Sequence, residues 1–163
     1  MNLVRMNVSG IYIDPKSNVP IVVLKDKTTK NVLPIWIGPL EASSILIELE
    51  HITPPRPMTH DLFVNFLKQN NIKVRKIIIT EMRNNTYFAK IYYKSGLKTK
   101  ELDARPSDAI SIALRLNVPV FVNKEVIENT IQTGSSSGDK DMKDYYKQLL
   151  EKLDKKDMGD TVM

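Results

Sequence analysis

The chain has 163 residues and no cysteine; 42% of its residues are hydrophobic and 26% are charged. This composition is typical of one globular domain, and the lack of cysteine excludes disulfides, thiolate chemistry and cysteine-based zinc sites. No apolar run approaches the roughly 20 residues of a membrane-spanning helix, and no signal peptide is evident, so we expect a cytoplasmic protein without a membrane partner. The net charge is +5 at pH 7, and it lies outside the nearly neutral residues 139–163. A basic body suits nucleic acid, although a solvated lysine-rich surface is the simpler explanation of charge alone.

The first part of the chain is predicted to form three strands. Alternating apolar residues over Val4–Ile13, interrupted at Gly10, predict a strand with a bulge. Pro20–Leu24 and Val32–Ile37 are two further short apolar runs, separated by a polar turn. Three such segments in succession predict an antiparallel meander.

A helix is predicted over residues 41–50, directly after the strand-breaking pair Gly38-Pro39. Glu41 lies in its first turn, where the helix dipole favours a negative charge. The apolar residues recur on one side of this helix, and Glu41, Ser44 and Glu48 lie on the other.

A proline-rich loop precedes the next helix. Prolines at positions 54, 55 and 57 hold Arg56 on an extended path. Thr59 is predicted to be the N-cap of a short helix, which places His60 and Asp61 in its first turn. A histidine at this position could act as a base or a ligand, or could serve only as a hydrogen-bonding group at a helix start. The sequence leaves both interpretations open.

Three further strands are predicted over Lys73–Arg83, Thr86–Lys94 and Lys98–Asp103. The dipeptides Asn84-Asn85 and Ser95-Gly96 between them are typical of tight turns, so these strands predict a second meander.

The middle strand of this second meander mixes aromatic and basic side chains on one face. Phe88, Lys90, Tyr92 and Lys94 share that face because side chains alternate along a strand. Aromatic rings among lysines can stack nucleic-acid bases. A half-exposed sheet covered by lysine stems is the alternative, and it is the simpler one.

The stretch from Glu101 to Ile110 joins a strand to a buried helix that continues to Leu116. Pro106 disfavours helical structure in the residue before it, and Ser107 is predicted to be the N-cap. Asp103, Arg105 and Asp108 are thereby placed at the start of an apolar helix. Such charged groups cost solvation free energy unless they pair with each other or bind a ligand.

The C-terminal part is predicted to contain a strand over Val118–Val122 and a short helix over Lys124–Ile131. We expect the main domain to span residues 1–131. The Gly- and Ser-rich residues 132–138 are predicted to be a flexible linker, and residues 139–163 an amphipathic charged tail.

Several familiar chemistries lack their motifs. The chain has no GxxxxGK[ST] phosphate loop, no GxGxxG and only two histidines. The remaining polar groups cluster at three chain breaks, near Pro39, Pro57 and Pro106. We predict that these breaks come together in one cleft. Carboxylates there could hold Mg²⁺ or Mn²⁺ through oxygen ligands, which would suit phosphodiester hydrolysis.

Three segments resemble the motifs of the bifunctional nuclease domain family: LPIWIGPLEA over residues 33–42, PPRPMTHDL over 54–62 and DARPSDAI over 103–110. The resemblance runs in the same order from about Leu3 to Ile131. It implies an α+β fold, a single domain with a mostly antiparallel sheet formed from the two meanders and flanked by short helices. It further implies an oligomer of two or more copies, and cleavage of RNA and DNA as in plant members.

The resulting hypothesis is a low-specificity nuclease acting on single-stranded RNA or DNA. The candidate catalytic residues are His60, Asp61 and Asp108. The candidate metal ligands for Mg²⁺ or Mn²⁺ are Asp61, Asp103 and Asp108. The candidate substrate-binding residues are Arg56, Arg105, Lys90 and Lys94. The alternative is a non-enzymatic oligomeric module that binds a ligand or partner, in which the polar motifs are structural because buried charges need partners.

Overall fold

The computed structural model describes residues 1–136 together with residues 148 and 151. Within them, seven strands form one sheet and four helices flank it, which confirms the predicted α+β class. The strands are β1 (Leu3–Ile13), β2 (Pro20–Asp26), β3 (Val32–Trp36), β4 (Ile72–Arg83), β5 (Thr86–Ser95), β6 (Lys98–Ala104) and β7 (Val120–Asn123). The helices are α1 (Pro39–Leu49), α2 (Thr59–Gln69), α3 (Pro106–Leu116) and α4 (Lys124–Ser136).

Both predicted meanders are present in the sheet, whose strand order is β3-β2-β1-β7-β4-β5-β6. Strand β7 joins the two meanders, because it pairs antiparallel with β1 and parallel with β4. The predicted bulge at Gly10 is confirmed by a register shift between Val8 and Gly10. Asn84 and Asn85 have φ of 50° and 58°, the left-handed conformation that a tight hairpin turn requires and that asparagine tolerates.

Helix α3 is the central helix of the fold. It packs against α1 and α2 on one side and against β4 and β5 on the other. Ala109 and Ile110 are fully buried, and together with Ile77 and Ile79 of β4 they belong to the hydrophobic core. Because α1, α2 and α3 pack together, polar groups at their first turns can meet.

The helix starts correct two predicted caps. Ser107 is not the N-cap of α3, because Arg105 holds that position with φ −66° and ψ 145°, and Pro106 is the first helical residue. Proline suits this position, since its ring fixes a helical φ and the first turn needs no N–H from it. Met58, not Thr59, caps α2, and its N–H donates to the Oδ2 atom of Asp61 at 2.9 Å. Asp61 thus closes the first turn from inside the helix.

The C-terminal segment differs from the prediction in one respect. The backbone of α4 continues to Ser136, so residues 132–136 of the predicted linker are helical. The rest of that linker and the predicted amphipathic tail, residues 139–163, lie outside the described residues except for positions 148 and 151. Among the residues that are described, no helix is long and apolar enough to cross a membrane.

Candidate functional site

The first turns of α1, α2 and α3 meet at one place. Arg105, at the start of α3, donates from Nη1 to the Oε1 atom of Glu41 in α1 at 2.8 Å. His60, in the first turn of α2, lies with Nε2 at 2.9 Å from the Oδ1 atom of Asp108 in α3. These contacts confirm that the three proline breaks come together, and the cleft between them stays a prediction.

A chain of hydrogen bonds crosses all three helices. The Ser111 hydroxyl donates to the Ser44 oxygen at 3.2 Å, and the Ser44 oxygen lies 2.8 Å from Nδ1 of His60. Asp108 is an acceptor when ionised, so a neutral imidazole donates its Nε2 proton to Asp108 and accepts the Ser44 proton at Nδ1. We call the series Ser111, Ser44, His60 and Asp108 the hydroxyl–imidazole relay. Ser111 is fully buried, whereas Ser44 and His60 are partly exposed.

Arg105 binds Asp108, the last residue of this relay. Its Nε and Nη2 donate to the two oxygens of Asp108, at 2.7 and 3.1 Å. Burial alone would raise the pKa of Asp108, but the hydrogen bonds from Arg105 and His60 outweigh it and hold that pKa below its usual value. The same carboxylate, together with Glu41, raises the pKa of Arg105. The Arg105 side chain remains 63% exposed, so it faces solvent from the rim of the site.

A second arginine, Arg115, lies beside the relay and binds Asp61 and two backbone oxygens. Its side chain is only 4% exposed, and its Nε donates to Asp61 at 2.7 Å. Its two terminal nitrogens donate to the backbone oxygens of Ser111 and Ser44, at 3.1 and 3.2 Å. Arg115 therefore ties α3 to α1 and α2 beside the relay.

Sequence reasoning missed Ser44, Ser111 and Arg115 as members of the site. The sequence contained a signal for Ser111 and Arg115, because Asp108, Ser111 and Arg115 are spaced by three and four residues. That spacing places them on one face of a helix that is otherwise largely apolar. Ser44 lies on the polar side of α1, but nothing in the sequence says that this side faces His60.

The three predicted metal ligands do not form one set. Asp61 is bound by Arg115 and the Met58 N–H, and Asp108 by Arg105 and His60. Asp103 lies in β6, directly opposite Lys90 of β5. Within the described part of the chain, no three His, Asp or Glu side chains are arranged to hold a metal ion. The donor set thus does not fit the predicted centre, and assistance by Mg²⁺ or Mn²⁺ stays a prediction.

Arg56 lies apart from the relay. It is exposed and lines a hollow of about 280 Å³ with Glu48, Asp61 and the neighbouring prolines. Asp61 is shared between this hollow and the Arg115 ion pair. A phosphate held by Arg56 would therefore sit beside the site rather than on the relay.

Lys90 and Lys94 lie on the sheet, with Phe88 and Tyr92 on the same face as predicted. Ala89 and Ile91 of β5 belong to the core, so the alternate residues of the strand point the other way. Tyr92 contacts a cation, since Nζ of Lys76 lies 5.4 Å from its ring centre. Lys90 forms an ion pair with Glu101, and Lys94 is exposed. The face therefore carries both basic and aromatic groups, with acidic groups along its β6 edge.

The lowered pKa of Asp108 predicts a dependence of stability on pH. An unfolded aspartate has a pKa of about 3.9, and a group whose folded pKa is lower stabilises the fold above that value. This stabilisation is lost as pH falls through the lowered pKa. We expect the free energy of unfolding to fall below about pH 4, and Asp108→Asn to show a shallower fall in urea unfolding at a series of pH values. Equal slopes for both proteins would contradict the assignment.

Comparison with known proteins places these observations in a family. The bifunctional nuclease domain model matches residues 22–133. An uncharacterised protein of Mycobacterium tuberculosis is 33% identical over 123 residues, which cover 76% of this chain and 73% of that protein. Bifunctional nuclease 1 of Oryza sativa subsp. japonica is 33% identical over 112 residues, which cover 67% of this chain and 34% of that protein. Bifunctional nuclease 1 of Arabidopsis thaliana is 27% identical over 128 residues, which cover 76% and 39%.

All three sequence motifs that carried the resemblance lie within the matched range. The residues of the relay lie within it as well. The aligned part of this chain spans most of the mycobacterial protein but well under half of each plant nuclease. Because the family model matches more than half of its residues, the chain belongs to the bifunctional nuclease domain family.

Proposed function

We propose that this protein is a low-specificity, nuclease-like phosphodiester hydrolase whose site is the hydroxyl–imidazole relay. The observation that supports it is the meeting of His60, Asp108 and Arg105 at the first turns of α2 and α3. An imidazole oriented by a carboxylate is a group that can take and return a proton. A guanidinium beside it supplies positive charge for a phosphate. The family's plant relatives carry the name bifunctional nuclease, which agrees with this chemistry.

Each residue has a distinct role in the proposed reaction. His60 moves the proton, and Asp108 orients the ring and stabilises its charged form. Arg105 uses three of its five N–H groups on Asp108 and Glu41, so two remain for a substrate phosphate. Arg56 would bind a neighbouring phosphate of the same strand. Asp61, which we predicted to be catalytic, is better suited to hold Arg115 in position, because both of its oxygens are occupied.

The deciding experiment is cleavage of labelled RNA and single-stranded DNA by highly purified protein. Parallel reactions contain Mg²⁺, Mn²⁺ or EDTA, because divalent assistance is predicted and no ligand set supports it among the described residues. Activity that copurifies with the protein and disappears in the His60 variant supports the proposal. A preparation that leaves both substrates intact in every buffer overturns it.

The basic sheet face is proposed to bind single strands. Lys90→Glu with Lys94→Glu should weaken binding of a labelled oligonucleotide and reduce its salt dependence. Each lost phosphate contact lowers the slope of log K against log salt by about 0.7 for a single strand. Fluorescence anisotropy at several salt concentrations measures both effects.

A matched control separates local contact from net charge. Lys27 and Lys30 are exposed in the turn between β2 and β3, away from that face. Their double change to Glu alters the total charge by the same amount. If both double variants weaken binding equally, the sheet face has no special part in it.

The second candidate function is a non-enzymatic, oligomeric module that binds a partner or ligand. It is favoured by the ion pairs within the site, because Arg105 and Arg115 each bind acidic side chains and the polar motifs can then be structural. In addition, Met58, Leu62 and Phe66 form an exposed apolar stripe along α2, with 51%, 64% and 57% of their surfaces exposed. We propose that a second copy of the chain covers this stripe, because such apolar surface favours association. Light scattering at micromolar concentration should give a mass above the 18.6 kDa of one chain, and a monomer mass would count against it.

The proposed location is the cytoplasm, as expected from the composition. Fractionation of the producing cells tests it directly, and recovery of the protein in a secreted or envelope fraction would contradict it.

A further inference from the structure

We propose that Ser44 is the nucleophile of this site and that hydrolysis proceeds through a covalent phosphoseryl intermediate. The inference rests on the proposed function for its substrate class, a phosphodiester. It goes beyond that function in assigning the attacking atom to the protein rather than to water. It also gives the relay a chemical direction, from the serine hydroxyl towards Asp108.

The geometry of the relay carries this assignment. The Ser44 oxygen lies 2.8 Å from Nδ1 of His60, and Nε2 of the same ring lies 2.9 Å from Asp108. A hydroxyl next to a base that is itself oriented by a carboxylate is the arrangement by which a serine is activated. The two ring nitrogens are exchanged relative to the serine proteases, but the roles depend on geometry and not on which nitrogen is used.

The surroundings of Ser44 support a reactive hydroxyl. Ser44 is partly exposed, so a substrate can approach it. The buried Ser111 hydroxyl donates to the Ser44 oxygen, which leaves the proton of Ser44 directed at His60 and would stabilise negative charge that develops on that oxygen. Arg105 holds Asp108 ionised, and an ionised Asp108 stabilises the imidazolium formed when His60 takes the proton.

The reaction balances without an added oxidant, reductant or metal. The Ser44 oxygen forms a bond to phosphorus while its proton moves to Nδ1 of His60. The bond from phosphorus to the leaving ribose or deoxyribose oxygen breaks, and that oxygen takes the proton from His60. A water molecule then attacks the phosphoserine and gives its proton to His60. The serine oxygen leaves phosphorus and regains a proton, so the net change is hydrolysis of one phosphodiester bond.

The adjacent residue provides an internal comparison. Ser43 is exposed on the same helix, and its hydroxyl donates to the backbone oxygen of Pro39 at 3.0 Å. Among the described residues, His60 forms its hydrogen bond with Ser44 and not with Ser43. Exposure alone would therefore favour Ser43, whereas activation by His60 favours Ser44.

The test is covalent labelling with a fluorophosphonate probe, followed by mass spectrometry of the peptide that contains both serines. We expect one adduct, located on Ser44 by fragmentation, in the full-length protein. Ser43→Ala should label like the parent, Ser44→Ala should not label, and His60→Ala should label about 10²–10⁴-fold more slowly, the range of general base assistance. Circular dichroism and thermal unfolding of each variant show whether it is folded.

The outcomes separate this inference from the proposed function. An adduct on Ser44 that depends on His60, with no cleavage of nucleic acid, supports the nucleophile and overturns the nuclease. Cleavage by folded Ser44→Ala at the parental rate overturns the nucleophile and leaves the nuclease standing. An unlabelled parent, or an adduct found on Ser43, also overturns the inference, and this result does not depend on any variant folding.

Discussion

His60→Ala is expected to lower phosphodiester cleavage by about 10²–10⁴-fold, the usual contribution of a general acid–base group. The imidazole is the only described group that bridges the Ser44 hydroxyl and the Asp108 carboxylate, at 2.8 and 2.9 Å. Its removal interrupts proton transfer between Ser44 and Asp108. The proposed binding of the substrate phosphate by Arg105 is left in place. Initial rates on a labelled RNA oligonucleotide, normalised to folded protein, measure the loss.

The chain supplies a matched control, because it has one other histidine. His51 is exposed at the end of α1 and has φ of 53°. Asparagine tolerates this left-handed conformation, so His51→Asn should fold normally and cleave like the parent. Should His60→Ala fold and retain full activity, the site is not catalytic, and cleavage belongs elsewhere or to a contaminant.

Local patterns in the sequence were enough to predict most of the sheet. Alternating apolar residues located the strands, and the turn pair Asn84-Asn85 fixed the hairpin between β4 and β5. The position of β7 was beyond such reasoning. Its four residues are too few to specify a partner, and they pair with β1 and β4, which are distant in the chain. Short strands are placed by tertiary packing and not by local propensity.

The site was predicted in outline for a similar reason. Proline breaks mark helix starts, and polar residues at helix starts are visible in a sequence. The relay was not visible, because its bonds join residues 16, 48 and 67 positions apart. The caps were misplaced because the prediction favoured side-chain capping by serine and threonine. The proline at the first position of α3 instead fixed the helix start two residues earlier than a Ser107 cap allows.

The predicted metal set illustrates the limit of residue type as a guide. Asp61, Asp103 and Asp108 are suitable ligands by chemistry, but two of them are occupied by arginines and the third lies on β6. The sequence contained both arginines, Arg105 and Arg115. It did not reveal which carboxylate each arginine binds, and the ion pairs of Asp108 with Arg105 and of Asp61 with Arg115 depend on the packing of three helices.

The second large expected effect is on the free energy of unfolding, and it depends on the burial of Arg115. Arg105 and Arg115 each donate three hydrogen bonds, but their side chains are 63% and 4% exposed. Arg115→Met should lower the free energy of unfolding by about 3 kcal/mol, because it leaves Asp61 and two carbonyl oxygens without their partner. That value is the lower end of the usual range, since Asp61 is 23% exposed and water can reach it.

Arg105→Met is the control for that change. It removes an equal number of hydrogen bonds, but an exposed ion pair contributes at most about 1 kcal/mol. Urea unfolding with an unchanged m value measures both losses. Adding Asp61→Asn to Arg115→Met should recover part of the loss, because the uncompensated charge is then removed; the same Asp61→Asn change alone should destabilise the protein. If Arg105→Met costs as much as Arg115→Met, the number of hydrogen bonds and not burial determines the stability of this helix junction.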